Sequence, residues 1–168
     1  MYSLNVPVPG QVARLAADLA PLLSPFERVR HEHTLVLKRL GSPGPGEYSR
    51  VQLQVREALA GFPPFEARVT GLGSFEQPAS GLAPVVYLAV ESPGLLEAHE
   101  RLLDTFPPAE GIEGEDYVPH ITLARGGEME STRRVLEQKI EPVAWAVDEL
   151  VFWDAVHGGR AGRLSLPV

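Results

Sequence analysis

A histidine and a threonine two residues apart stand within Pro119-His120-Ile121-Thr122-Leu123. Residues two apart on a strand project to the same face. On the strand predicted here, His120 and Thr122 therefore point together, while Ile121 and Leu123 turn to the core. An imidazole beside a hydroxyl suits a phosphate, because the hydroxyl donates to a phosphoryl oxygen and the imidazole gives or takes a proton near neutral pH. A histidine bonded to its neighbour in a purely structural strand would show the same few residues. What tips the reading is a second His-Thr cluster, Arg30-His31-Glu32-His33-Thr34-Leu35-Val36-Leu37-Lys38, on another predicted strand in the other half of the chain. Cleavage of a phosphodiester through a 2′-hydroxyl, or opening of a cyclic phosphate, takes one base and one acid on opposite sides of phosphorus. Two histidines delivered by two related strands meet that need without a metal.

The remaining candidates carry less. His31 and His33, two apart on a strand, are spaced to share an ion, but no third ligand is evident nearby, so no metal is expected. His99 falls in a predicted helix between Glu97 and Glu100 and reads as a solvated surface residue, and His157 falls in a Gly-rich turn. Trp145 and Trp153 would share one face of a long final strand and pack the core, with base stacking as the alternative. Gly71-x-Gly73 has no helix directly after it and is no nucleotide-binding fingerprint. Glu110 to Asp116 reads as a solvated acidic loop.

The elements that must position these groups alternate between helical and strand periodicity. Strands are predicted at Tyr2–Val8, Val29–Leu40, Phe65–Leu72, Val85–Glu91, Tyr117–Ala124, Val143–Trp153 and Arg163–Val168. Helices are predicted at Gln11–Leu23, Tyr48–Ala60, Ser131–Ile140, and from Pro93 to about Phe106 with Ser92 as its cap. The first His cluster precedes the second by 87 residues, from His33 to His120, about half the chain. The expected fold class is α+β: a single domain over residues 1–168, in two quasi-repeated lobes, each an antiparallel sheet with helices on its outer face, flanking a shared central cleft.

Composition narrows the partners. A chain of 168 residues with 44% hydrophobic and 22% charged residues is ordinary for a soluble domain with a sizeable core. With no cysteine there is no disulfide, thiolate nucleophile or Cys-based zinc site. No apolar stretch approaches a membrane span and the N-terminus has no signal-peptide pattern, so cytoplasm is the expected compartment and no membrane partner is expected. The net charge of −7 disfavours a grip on extended duplex, whereas a local basic cleft still takes a small phosphorylated ligand.

On these residues the chain resembles the 2H phosphoesterase superfamily, specifically the bacterial 2′-5′ RNA ligase-like, or RNA 2′,3′-cyclic phosphodiesterase, proteins. That family is defined by two His-x-Thr motifs facing one cleft. The resemblance covers the opening strand and helix, His33 to Gly41, Pro64 to Phe75, Val85 to Leu88, His120 to Arg125 and Val147 to Phe152. It implies that His120 is a general acid or base, with Thr122 and Arg125 as phosphate contacts and no cofactor. The implied function is metal-independent hydrolysis of 2′,3′-cyclic phosphate RNA ends or small cyclic nucleotides by a monomer. The alternatives are a fold that binds nucleotide or RNA ends without turnover, and ligation of 2′-5′ linkages.

The first motif departs from the family form, because Thr34 follows His33 directly. A one-residue shift on a strand turns every side chain to the other face. Three arrangements are open. A bulge beside His33 returns it to the cleft, with Thr34 as a phosphate contact. His31 takes the catalytic place, with His33 where the threonine normally stands. Or a gapless match on Leu37 to Gly41 puts Thr34 at the histidine position and Val36 at the threonine position, leaving Thr34 and Lys38 in the cleft and no second imidazole. His33 is the favoured member.

Overall fold

In the computed structural model, which describes residues 1–168, the strand-forming runs join one curled nine-stranded sheet. In chain order the elements are β1 (Tyr2–Val6), α1 (Gly10–Leu23), β2 (Arg28–Val29), β3 (Leu35–Arg39), α2 (Tyr48–Ala58), β4 (Phe65–Phe75), β5 (Val85–Glu91), α3 (Pro93–Leu103), β6 (His120–Arg125), α4 (Met129–Leu136), β7 (Val143–Val147), β8 (Glu149–Asp154) and β9 (Gly159–Ser165). The strand order is β7-β4-β5-β6-β3-β1-β8-β9, with β2 also pairing β6, and the pairs are antiparallel.

This order is symmetric about the seam between β3 and β6. β1-α1-β3 on one side matches β5-α3-β6 on the other, and the outer strands are exchanged, since β4 pairs with β5 and β8 with β1. The two expected lobes are thus halves of one continuous sheet. Helices cross the seam as well: α1 packs on β6 and α4, and α3 packs on β3 and α2. A hydrophobic cluster drawing on both halves ties them together, each fully buried leucine contributing about 1.5–3 kcal/mol. Local signals support the frame. Ser92 Oγ accepts the Leu95 N–H at 3.2 Å and Pro93 opens α3, whose Leu95, Ala98 and Leu102 form one buried stripe.

Three expectations need correction. The strand predicted over Val29–Leu40 is interrupted. Val29 pairs with Ala124 and Leu35 with Ile121, so residues 30–34 of one strand face only Thr122 and Leu123 of the other, and after the Arg30 N–H donates to the Leu123 carbonyl at 2.8 Å the chain bows out of the ladder. The long final strand is also two strands. β7 runs to one edge of the sheet beside β4 and β8 returns beside β1, so Trp145 and Trp153 lie on opposite flanks.

The third correction concerns the acidic loop and His99. Position 99 continues the buried stripe of α3, and the residue is only 2% exposed. Its Nδ1 donates to the Leu37 carbonyl at 2.8 Å, Nε2 accepts the Gly114 N–H at 3.1 Å, and the ring stacks on Tyr117 with centroids 3.8 Å apart. Burial holds this histidine below its ordinary pKa, as befits a neutral ring with both nitrogens satisfied. Glu113 of the acidic loop is buried too. It meets Lys38 Nζ at 2.7 Å with both side chains at 0% exposure, and accepts the Arg39 and Ala109 N–H groups, each at 2.9 Å. Burial alone would raise this carboxyl; Lys38 and the two N–H donors outweigh that and hold it low. No helix is long and apolar enough to cross a membrane.

Candidate functional site

The site opens where the seam is weakest, beside residues 30–34. β6 delivers His120 and Thr122 to one face by simple alternation, but Arg125 is odd in parity and would turn away. A bulge corrects this. Along β5 the register passes from Tyr87↔Thr122 to Val86↔Ala124, leaving Leu123 unpaired, and Leu123 and Ala124 are both buried. Arg125 then returns to the side of His120. β3 carries the same device, because its register with β1 passes from Asn5↔Val36 to Leu4↔Lys38 and skips Leu37. Alternation from Thr34 and Val36 would have aimed Lys38 at the cleft. The bulge turns Lys38 inward to Glu113 and brings Arg39 out instead.

The two bulges fix how the halves correspond. Leu37 matches Leu123, so Arg39 matches Arg125, Thr34 matches His120 and Val36 matches Thr122. These residues converge: Thr34, Val36 and Arg39 line one cavity of about 130 Å³ together with His120, Thr122 and Arg125. Arg30 and Glu32, from the interrupted segment, complete its wall. An adjoining cavity of about 110 Å³ shares Arg39, His120 and Arg125 and is closed by Phe75 and the loop at Gln77–Ser80.

His120 is held firmly. Its Nδ1 lies 2.7 Å from the Val118 carbonyl, which can only accept, so Nδ1 carries the proton and Nε2 has no protein partner. Phe75 meets the ring edge-on at 5.0 Å and Tyr87 lies at 5.2 Å, the two aromatics themselves 4.4 Å apart. Tyr87 can lie there because the residue opposite it on β4 is Gly73, where a Cβ would fall 2.6 Å from the Tyr87 ring. Burial, and after it the charges of Arg39 and Arg125, hold the imidazole below its ordinary pKa against the opposing pull of the Val118 carbonyl.

The charge of the cleft is opposite to that of the chain. Arg30, Arg39 and Arg125 form no ion pair, and Arg125 is steadied only by donating from Nη1 to the Ser80 carbonyl at 2.9 Å. Burial and the other two guanidinium groups lower the Arg125 pKa. Three mutually repelling cations around one imidazole favour an anion with several oxygens.

His31 and His33 stand beside the His120 cavity rather than in it, and His31 also lines an open cavity of about 550 Å³ with Arg30 and Arg125. Both line a neighbouring cavity of about 360 Å³ with Trp153 and Arg160, and neither lines the cavity of His120. Burial, then the neighbouring His31, lowers the His33 pKa. Thr34 lines both cavities, and Lys38 lines neither. No three His, Asp or Glu side chains are placed to hold a metal ion. The sequence reading missed Arg30 and Arg39. Arg39 was detectable through the gapless match, which sets it five residues after Thr34 as Arg125 stands five after His120, and Arg30 only through the break in the strand.

Comparison with known proteins places this site in context. Residues 11–159 match a family model described as the 2′-5′ RNA ligase superfamily. An RNA 2′,3′-cyclic phosphodiesterase of Methanothermobacter thermautotrophicus is 39% identical over 90 residues, a match spanning 53% of this chain and about half, 48%, of that protein. A solved structure of E. coli LigT complexed with 3′-AMP superposes with a TM-score of 0.70 at 17% identity, covering 99% of this chain and 98% of the other. A structure of a Thermus thermophilus protein gives a TM-score of 0.68 at 21% identity, covering 98% of this chain and 97% of the other. At these identities the structural likeness speaks for the fold.

Proposed function

The chain belongs to the 2′-5′ RNA ligase superfamily, and from that membership we propose that its cleft binds and hydrolyses 2′,3′-cyclic phosphate ends of RNA or of single nucleotides. The observation that carries the reading is the ring of unpaired guanidinium groups around the free Nε2 of His120. Arg39, Arg125 and the Thr122 hydroxyl would hold the phosphoryl oxygens and neutralise the charge that grows on them as the ring opens. Nε2 of His120 would exchange the proton at one of the two oxygens in line with phosphorus. The named activity of the archaeal relative, and the 3′-AMP and phosphate complexes of E. coli LigT, agree with this ligand class. Since the guanidinium groups already supply the positive charge that a metal ion supplies in other phosphoesterases, the reaction is proposed to be metal-independent.

The test is an RNA oligonucleotide ending in a 2′,3′-cyclic phosphate. Conversion to a monophosphate end by the wild type, and its loss in His120→Ala, support the reading; an unchanged end refutes it. One observation favours a second reading, binding without turnover. Thr34 stands where the symmetry calls for a second histidine, and its hydroxyl is a poor proton carrier. Binding of the same RNA with the cyclic end left intact would favour that reading.

A further inference from the structure

In-line opening of a cyclic phosphate needs two groups that exchange protons, and His120 is only one. The half of the cleft built on β3 presents Thr34 and Val36 at the positions matching His120 and Thr122, so the symmetric partner is lost. Among the residues that line the His120 cavity, three are arginines, which stay protonated, and two are threonines, whose hydroxyls stay protonated near neutral pH. Val36 has no proton to exchange. The one remaining side chain in this cavity is Glu32, two residues before Thr34; the other carboxylate near His120, Asp116, lines only the adjoining cavity, which neither Thr34 nor Thr122 reaches. It is exposed and forms no ion pair or side-chain hydrogen bond, so its carboxylate is uncommitted. The interruption of the strand at residues 30–34 is what brings it to the cleft wall.

We propose that Glu32 is the second catalytic group, its carboxylate taking the proton from the attacking water while His120 protonates the departing ribose oxygen. This rests on the hydrolytic reading of the cleft. The water oxygen bonds to phosphorus, one phosphorus–ribose oxygen bond breaks, and the electron pair of that bond goes to the ribose oxygen. That oxygen takes the proton from His120 Nε2. One water is consumed, and the protonated Glu32 and neutral His120 are reset by exchange with solvent. His120 acts as the acid in this step, so activity falls as pH rises and the imidazole, held below its ordinary pKa by burial, loses its proton. The titratable and charged groups that share a cavity with His120 or touch its ring are Arg39 from β3, Arg125 from β6, Tyr87 from β5, Asp116 from the turn before β6, and Arg30 and Glu32 from the interrupted segment. A bound phosphate offsets the arginine charges and favours the protonated imidazole.

The experiment compares wild type, Glu32→Gln, His33→Ala and His31→Ala on a 2′,3′-cyclic mononucleotide across pH, alongside binding of a 3′-mononucleotide. Glu32→Gln is expected to bind the 3′-mononucleotide about as well as wild type, yet to lose roughly 10²- to 10⁴-fold in kcat. The histidine variants are expected to keep both. Full activity in Glu32→Gln overturns the proposal while leaving the hydrolytic reading intact, and loss in His33→Ala instead would move the role to His33. A wild type that binds but does not turn over refutes the hydrolytic reading, and this proposal with it.

Discussion

Arg39 on β3 and Arg125 on β6 are counterparts across the seam, each lying two residues beyond a leucine that has no partner in its ladder, Leu37 against β1 and Leu123 against β5. Both leucines are fully buried. The bulges therefore store no exposed backbone; they convert a parity that would hide the two guanidinium groups into one that aims both at the phosphate. The same shift sends Lys38 and Ala124 inward. Ala124 fits without help, while Lys38 requires the buried carboxylate of Glu113.

If the paired arginines hold the phosphoryl group, Arg39→Gln and Arg125→Gln should each weaken binding of a 3′-mononucleotide. A hydrogen bond to a charged group is worth about 1.5–3 kcal/mol, or roughly 10- to 100-fold in Kd. Calorimetric titration at fixed ionic strength checks this, and unchanged affinity in both variants would remove the phosphate from this wall of the cleft.

Gly73→Ala is expected to act on His120 from a distance. The new Cβ would press on the Tyr87 ring, which is already wedged between Phe75 and His120. Overpacking of this kind costs about 1–3 kcal/mol. The specific signature is a displaced His120 imidazole resonance with an altered titration midpoint. A drop in Tm without any change in that resonance would mean that the aromatic pair does not position the histidine.

Stability should fall as pH drops below neutrality. His99 is held neutral by burial, so its folded pKa lies below the ordinary 6.5. Its contribution is complete above the unfolded pKa and is lost as pH falls from 6.5 through the lower folded value, because the unfolded chain binds the proton more readily. His33 and His120, also lowered, act with the same sign. Unfolding free energies measured by denaturant between about pH 7 and pH 5 should decline in the wild type and decline less in His99→Gln. An equal slope in both would contradict the burial argument.

Much of the frame was legible in the sequence because periodicity and burial agree there. α1, α3, β5 and the His120 strand lie within a few residues of where the apolar pattern puts them, and Ser92 caps the helix it was expected to cap. What was hidden depended on contacts distant in sequence. The break at residues 30–34 arises because β6 offers only two residues to the five that pass it, and no residue type in Arg30 to Thr34 signals that. His99 reads as surface beside two glutamates, yet the Leu37 carbonyl and the Gly114 N–H supply partners that only the fold brings near. Glu113 looks like one more acid in an exposed loop until Lys38, 75 residues away, is turned inward to meet it.

The most direct test of the account is steady-state hydrolysis of a 2′,3′-cyclic mononucleotide, with chelator present, by the wild type and by His120→Ala. The account predicts turnover by the wild type and a loss of roughly 10²- to 10⁴-fold in kcat/KM in the variant, the range for removing one general acid or base. No turnover by the wild type, or equal turnover by both proteins, would contradict it.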